Sequence, residues 1–257
     1  MKKTFFFIAF ILTSLAFGQN AFSQSYGIVF GDLEVTEENA GDIFGDGMAS
    51  YDHGSNALEL RDGFIYRLSH GKVVISTSDD FVIVLNGKAE IYASVECQDF
   101  LTFKSSGYDT LCITSNISGS ALKCRGLAIP NNVCLNLLSR NSQQDMYALD
   151  CDYYLTIDGG SLFAEVTTAS LAVKTRELEM TSSYLLKPRG GFVSSTWGGI
   201  CFADGLPAKT VWIVPSNSGI GEHPATNEAS VQKIYENGQV LIIKDGKQYN
   251  IAGQQLN

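Results

Sequence analysis

Three aspartates and three glycines crowd the stretch NAGDIFGDGMASYDH, which begins at residue 39, and this raises the question of a calcium loop. An EF-hand loop needs oxygen ligands at its first, third, fifth and twelfth positions and a glycine at its sixth. Counted from Asp42, the third position is a phenylalanine and the twelfth a histidine. Asp and Gly also dominate ordinary turns, because Asp bonds neighbouring backbone and Gly tolerates a positive φ. The stretch therefore predicts turns without a metal or another cofactor, formed by Asp42, Gly45, Asp46, Gly47 and Asp52.

A second acidic pair, DCD, places Asp150 and Asp152 on the same side of a predicted strand. Arg125 lies about one repeat earlier and Arg176 about one repeat later, so a calcium-dependent polysaccharide lyase is one interpretation. It requires an arginine to converge on the two carboxylates in an open groove. Alternate polar positions on an outward face are more often only solvated, so no catalytic residue is predicted here.

A glycoside hydrolase would need several aspartates on one face for acid and base chemistry. In the polygalacturonase pattern NTD, DD, HG and RIK occur in that order, whereas here His70-Gly71 precedes Asp79-Asp80 and the other two motifs are absent. The pattern does not favour this chemistry. A non-catalytic interpretation instead uses aromatic rings that stand on a rigid sheet, which bind sugars through their faces. The residues predicted to do so are Tyr92, Tyr153 and Phe163.

The first residues predict export. Two lysines, an apolar run from Phe5 to Phe17 and small residues at 21 and 23 form a secretory signal peptide over residues 1–23. The run is too short to span a bilayer, and no cysteine precedes Cys97 to accept a lipid, so no membrane span or anchor is expected. Without this segment 16 basic and 27 acidic side chains remain, a formal charge of −11. Nucleic acid is excluded as a partner because its binding needs a basic face.

Six cysteines in an exported chain could form disulfides, but none has the spacing of a metal site. Four of them lie in predicted strands, and Cys97 and Cys201 do not. Buried thiols that act as small apolar fillers are favoured over bridges.

Strand patterns fill residues 57–188, and the same strand-turn-strand unit recurs along this range. Segments such as FVIVLNG, FLTFKSSG and YLTIDGG are each followed by a second alternating strand, such as AEIYAS, TLCITS and SLFAEV, and the last such pair ends with YLLKP. The repeat averages 24 residues, with markers at Leu58, Val82, Leu101, Leu127, Leu155 and Leu178. Units of this size bury an apolar face only by stacking. The pattern favours an all-β fold, a right-handed parallel β-helix, over a β-sandwich, the alternative that also shows regular short strands.

Both ends of such a stack need covers, because open strand edges recruit other chains. The first cover would be a hairpin about Gly31 and Asp32 and a short helix capped by Thr36; Trp197 and Trp212 would fill the far end. One Asn-Gly turn at 237–238 and one Asp-Gly turn at 245–246 then predict a small C-terminal β-meander of three strands. The predicted organisation is a signal peptide at 1–23, an N-terminal cap at 24–56, the β-helix at 57–215, a linker at 216–230 and the C-terminal tail at 231–257.

Residues 26–65 resemble the opening of a family of secreted bacterial repeat proteins. The family pattern is a Tyr-led strand, VGGVEVT, NASDILGDG and VSYDPATNTLTL, and this chain matches it at Val35-Thr36, Asp42-Ile43, Gly45-Asp46-Gly47 and Ser50-Tyr51-Asp52. The resemblance weakens toward residue 215, and FGD replaces the usual double glycine. It implies a pectate-lyase-like β-helix whose members are often described as carbohydrate-binding.

The C-terminal segment from Asn237 to Gln254 is similar to a tail on exported Bacteroidota proteins, with the pattern NGQ, I, DGK, YN and GQ. The similarity implies a role at the cell surface or in secretion. These observations together predict an exported or cell-surface, non-catalytic β-helix protein that binds polysaccharide or host glycans. A lyase or hydrolase acting on acidic glycans and a structural or adhesive protein are the alternatives, and the oligomeric state stays open.

Overall fold

The structure, a computed structural model, describes residues 23–77, 80–116, 119–140, 146–167 and 171–216, except the side chains of residues 69 and 70, and the backbone of four short strands between residues 232 and 256. By their contacts the residues divide into two compact units, Met1–Asn217 and Ser218–Asn257. The described parts of both units consist of strands and turns, without a helix. Nothing in these ranges is a helix able to cross a membrane. The predicted signal peptide up to residue 22, the linker from residue 217 and Asp79 lie outside the described residues.

A β-hairpin precedes the first coil, as the sequence predicts. It consists of β1 (Ser25–Phe30) and β2 (Leu33–Thr36), and Gly31 turns the chain with a φ of 63°. The predicted helix after Thr36 is wrong, because the chain makes only a turn there. Asn39 Oδ1 accepts the Thr36 N–H at 2.7 Å. This local side-chain bond to the backbone competes with helical pairing, so the segment stays a turn.

The aspartate-rich stretch forms the predicted turns. Each of its three aspartates accepts a hydrogen bond from a backbone N–H two to five residues further on, at 2.9–3.0 Å. Gly45 and Gly47 have φ values of 74° and 72°, which a side chain would strain. The stretch leads into β3 (Ala49–Asp52), which pairs antiparallel with the first strand of the coils. The turn-forming roles predicted for Asp42, Asp46 and Asp52 are therefore confirmed.

Five coils follow, and each has three sides, called faces 1, 2 and 3. In coils one and two a long strand bends across faces 2 and 3, whereas the later coils use separate strands. The strands are, coil by coil, β4 (Ala57–Arg61) and β5 (Phe64–Ile75); β6 (Phe81–Asn86) and β7 (Lys88–Cys97); β8 (Phe100–Ser105), β9 (Asp109–Ser115) and β10 (Leu122–Cys124); β11 (Gly126–Ile129), β12 (Val133–Ser139) and β13 (Leu149–Cys151); β14 (Tyr154–Asp158), β15 (Ser161–Val166) and β16 (Val173–Lys174).

Strands on the same face pair in parallel from coil to coil. Face 1 consists of β4, β6, β8, β11 and β14; face 2 of the first halves of β5 and β7 with β9, β12 and β15; face 3 of their second halves with β10, β13 and β16. The predicted parallel β-helix is confirmed. The sequence pattern did not predict face 3, because its separate strands are only two or three residues long.

Side chains alternate between the core and the outer surface, as the strand period requires. In coil five the predicted inward residues are at most 4 % exposed, whereas the predicted outward ones are half-buried or exposed. The inward residues are Leu155, Ile157, Leu162, Ala164 and Val166, and the outward ones are Thr156, Phe163 and Glu165.

The predicted register of the second coil is wrong by one residue. Leu58 pairs with Ile83 and not with Val82, and Ile83 is the buried residue of the two. The segment FVIVLN is apolar on both of its sides, so its alternation does not indicate which side points inward.

The far end is closed by strands that return antiparallel. The chain continues through β17 (Glu177–Thr181), β18 (Ser183–Lys187), β19 (Phe192–Ser194), β20 (Gly199–Cys201) and β21 (Thr210–Pro215). β17 stacks on β14, β21 lies between β15 and β18, and β20 pairs with β16. The predicted sixth coil is thus wrong after β17, since the segment YLLKP pairs with β21 and not with β15.

The two tryptophans do not fill this end. Trp197 is 50 % exposed in a turn, and Trp212 is half-buried on the outer side of face 2. The residues that close the core there are the fully buried Val211, Ile213 and Val214.

All six cysteines carry free thiols. Cys97, Cys124 and Cys151 take equivalent inward positions on face 3 in three successive coils, each at most 3 % exposed. Burial raises the pKa of Cys97 to about 11, which keeps the thiol neutral. The role as apolar filler, predicted for the four strand cysteines, is confirmed for Cys124 and Cys151 and is wrong for Cys112 and Cys134, which are only half-buried. Cys97 and Cys201, predicted outside strands, end β7 and β20.

The described part of the second unit is an antiparallel sheet of four strands, where three were predicted. These are β22 (Gln232–Glu236), β23 (Gln239–Lys244), β24 (Lys247–Tyr249) and β25 (Gln255–Leu256). Glu236 pairs with Gln239 and Lys244 with Lys247. The predicted turn residues 237–238 and 245–246 lie outside the described part of the chain.

Candidate binding surface

Face 2 carries a column of outward side chains that crosses five strands. Strand pairing places Glu90, Cys112, Asn136, Phe163 and Trp212 side by side, in that order. They point outward because their strand neighbours fill the core. The column therefore stands on a rigid, well-packed sheet.

Phe163 and Trp212 form an aromatic pair at one end of this column. Their ring centroids are 5.9 Å apart with the planes at 67°, an edge-to-face arrangement. Lys187 Nζ lies 3.9 Å from the Trp212 ring centroid. A depression of about 270 Å³ adjoins the pair. Its lining residues are Cys112, Thr114, Asn136, Leu137, Leu138, Phe163, Ala164, Glu165 and Trp212.

Asn136 supplies the amide of this depression. Its Nδ2 donates to the Cys112 thiol at 3.6 Å, and its Oδ1 accepts from the Cys134 thiol at 3.9 Å. Thiols are weak hydrogen-bond partners, so the amide keeps most of its capacity for a stronger donor or acceptor. Glu165 lies exposed beside Phe163 in β15. The depression thus combines aromatic rings with an amide, a hydroxyl and a carboxylate.

Tyr92, another predicted binding residue, lies on the same side of the molecule but away from the aromatic pair. Its hydroxyl donates to Glu90 Oε2 at 2.7 Å, and the Arg67 guanidinium lies 4.5 Å from its ring centroid. The bond to Glu90 raises the pKa of Tyr92. Three strand steps separate β7 from β15, which corresponds to about 14 Å. Tyr92 and Phe163 therefore share a face without contact.

Tyr153 lies elsewhere, at the corner that precedes β14. The Arg125 and Arg176 guanidinium carbons lie 5.2 and 5.1 Å from its ring centroid. Phe100 and Tyr154 stack next to this group, with centroids 5.1 Å apart. The structure therefore does not bring the three predicted aromatic residues into one site.

The convergence of Arg125 or Arg176 on Asp150 and Asp152, which the lyase interpretation requires, is not found, because both arginines lie over the Tyr153 ring. Lys174 takes that place, with Nζ 2.6 Å from Asp150 Oδ1 and 3.3 Å from Asp152 Oδ1. Burial disfavours the charged ammonium, but the bonds to the two aspartates outweigh burial and raise the pKa of Lys174. A lysine held protonated is in the wrong state to abstract a proton. The sequence missed Lys174 because two coils had to be aligned to place it beside Asp150.

The sequence also missed Trp212 as a surface residue. The alternation in β15 predicted that Phe163 points outward. Its partner Trp212 lies in β21, a strand of the far cap that pairs antiparallel with β15. The fold and this surface define a parallel β-helix protein with an aromatic depression on its outer face. No family model, curated protein or solved structure matches the chain.

Proposed function

We propose that this protein is an exported, non-catalytic β-helix that binds glycans at the depression beside Phe163 and Trp212. The aromatic pair is the observation that carries the proposal. Sugar rings present apolar C–H faces that pack on aromatic rings, while their hydroxyls need polar partners. Asn136 and Glu165 supply such partners at the edge of the same depression.

The position of the depression also supports binding. The depression lies on the outer side of face 2 and is lined by residues of four neighbouring strands, which suits one segment of a longer chain. The sheet beneath is packed by buried leucines and isoleucines, so a ligand would meet a preorganised surface. The state of Lys174 argues against proton abstraction at Asp150 and Asp152, and this favours binding over cleavage.

Affinity electrophoresis of the exported protein in gels that contain pectins, mucins or host glycans tests the proposal. We expect retardation in at least one gel, and loss of retardation in Trp212→Ala and in Phe163→Ala. Trp197→Ala is the matched control, since it removes an exposed tryptophan from the far cap. Asn136→Ala removes a polar partner at little risk to folding and should weaken retardation as well. Migration that no glycan retards would refute glycan binding and leave a structural or adhesive role.

A further inference from the structure

A β-bulge opens the N-terminal hairpin next to the first coil. Between Ser25 and Val29 the register of β1 against β2 shifts by two residues. Gly27 has a φ of 73° within this bulge, and its carbonyl oxygen accepts the Ser76 N–H at 2.8 Å. A Cβ at Gly27 would lie 2.6 Å from the Ser76 carbonyl oxygen, so only glycine fits. Bulges redirect side chains, and this one turns Tyr26 toward the turn that follows β3.

Three aromatic rings meet in front of the bulge. Tyr26 and His53 stack with centroids 4.7 Å apart and planes at 24°, and Tyr26 lies 5.2 Å from the Tyr51 ring. Tyr51 is fixed from behind by Phe81, which lies fully buried and nearly parallel at 6.2 Å. The turn that contains His53 is stabilised by a hydrogen bond from the Gly54 N–H to Asp52 Oδ1. The rings therefore form a wall whose inner member is anchored in the core.

Asn56 forms the polar floor beside this wall. It has a φ of 49°, an uncommon conformation that Asn tolerates better than most residues. Its Oδ1 accepts the Tyr51 hydroxyl at 2.8 Å, and its Nδ2 donates to the Asp80 carbonyl oxygen at 2.9 Å. Strained residues that several partners hold in place concentrate at ligand sites.

Wall and floor border an open cavity of about 420 Å³, a size within the range of small-molecule sites, about 300–1,000 Å³. The lining carries hydroxyls, two amides and aromatic rings. None of the described residues that line it is Asp, Glu, Lys or Arg. They are Gln24, Ser25, Tyr26, Gly27, Tyr51, His53, Asn56, Ser76 and Thr77.

We propose that this cavity is a second ligand site, which takes one uncharged sugar ring. The aromatic wall suits the apolar face of a pyranose, and the hydroxyl and amide groups around it suit a ligand with many hydroxyls. Among the described lining residues His53 alone can carry a charge, so a cationic ligand would lack an ion-pair partner and an anionic one would have a single imidazole. A flat aromatic ligand would leave most of the surrounding hydroxyls and amides unpaired, at a cost. The site shares no residue with the depression on face 2 and does not depend on it.

Saturation-transfer NMR with the full protein tests this site. The probes are the methyl glycosides of glucose, galactose, mannose and N-acetylglucosamine, with glucuronic acid and adenosine as counter-probes. We expect transfer to at least one neutral glycoside and an affinity at least tenfold weaker in His53→Ala, which alters only an exposed turn residue. Tyr26→Ala should abolish transfer, and Tyr26→Phe should retain it because the stack is kept.

Two further outcomes separate this site from the depression on face 2. Trp212→Ala should leave transfer to the neutral glycoside unchanged, and His53→Ala should leave retardation in the glycan gels unchanged. Transfer lost in Trp212→Ala but kept in His53→Ala would assign the sugar to face 2 and overturn the second site. Absence of transfer to all four glycosides, or stronger binding of glucuronic acid or adenosine, would overturn it too.

Discussion

The two ends of the β-helix are closed by different means. At the N-terminal end β1 pairs antiparallel with β5 and β3 with β4, and backbone bonds from Ile43 and Ala40 cover the outer edge of β3. At the far end faces 2 and 3 are covered by β21 and β20. On face 1, β17 ends the sheet, and no described strand pairs with its outer edge.

Exposure follows the same division. No described residue of the N-terminal cap at 24–56 is an exposed large hydrophobic, whereas five such residues lie at the far end, from β17 to β21. They are Met180, Phe192, Trp197, Phe202 and Leu206, each 36–59 % exposed. The two ends therefore differ in packing: the N-terminal cap buries its large apolar side chains, whereas the far end exposes several and carries charged residues at the edge of β17.

The largest expected effect is a cavity in the N-terminal cap. Phe30 is 1 % exposed and packs edge-on against Phe44 and Tyr66, each at 5.2 Å between centroids. Phe30→Ala should lower the free energy of unfolding by about 3–5 kcal/mol. Met180 lies in β17 and is 36 % exposed. Met180→Ala should therefore lower the free energy of unfolding by only about 1 kcal/mol or less. Guanidinium unfolding followed by circular dichroism measures both, and equal losses would contradict the proposed difference between the ends.

The features that the sequence predicted correctly depend on residues within a few positions of each other. At the N-terminal end these are the hairpin turn at Gly31 and the aspartate turns. In coil five it is the alternation that points Phe163 outward. The far end depends on strands that pair with partners far away in the sequence. The sequence therefore predicted a wrong position for Trp212 and a complete sixth coil that the structure does not have. The second coil shows the same limit of local patterns. Because β6 is apolar on both sides, only its pairing with neighbouring strands decides whether Val82 or Ile83 points into the core.

One glycine at each end tests how much a close backbone contact adds to φ strain in the free energy of unfolding. Gly27 combines a φ of 73° with a close approach to Ser76, whereas Gly205 in the far cap has a φ of 84° and no atom within 4 Å of the point that a Cβ would occupy. Gly205→Ala should cost about 1–2 kcal/mol from strain alone. Gly27→Ala should cost more, because the clash adds to the strain. A smaller loss for Gly27→Ala than for Gly205→Ala, measured by the same unfolding assay, would show that the bulge yields easily.

A smaller effect concerns carboxylates on face 1. Glu59 in β4 accepts hydrogen bonds from Asn86 at 2.6 Å, Ser50 at 3.2 Å and Arg61 at 3.4 Å. The hydrogen bond from Arg61 contributes most to lowering the pKa of Glu59, against a smaller opposing effect of burial. At the far end Glu179 has no side-chain hydrogen bond or ion pair among the described residues.

A lowered pKa means that the folded state favours the carboxylate. The resulting stability is present above the ordinary value of 4.5 and is lost as the pH falls through the lowered folded-state pKa. Because Glu59 is about one-third exposed, Glu59→Gln should cost about 1 kcal/mol or less at pH 7. The difference from the parent protein should shrink toward pH 3, and Glu179→Gln, which removes no side-chain hydrogen bond among the described residues, should cost less than Glu59→Gln at pH 7. Unfolding curves at pH 7, 5 and 3 would contradict this if the cost of Glu59→Gln did not change.

The smallest effect on stability, and the most direct test of the open edge, concerns Glu177 and Glu179. Pairing of Leu178 with Leu155 and of Met180 with Ile157 places both glutamates on the outer side of β17. In an antiparallel pair of two such edges the glutamates would face each other, and like charges directly opposite are unfavourable. Replacing both by valine should leave unfolding within about 0.5 kcal/mol but produce concentration-dependent association in sedimentation velocity. The matched control replaces Glu37 and Glu38, two exposed glutamates in a turn of the N-terminal cap, by valine. Association of the control to the same degree would mean that lost charge in general, and not the open edge of β17, drives self-pairing.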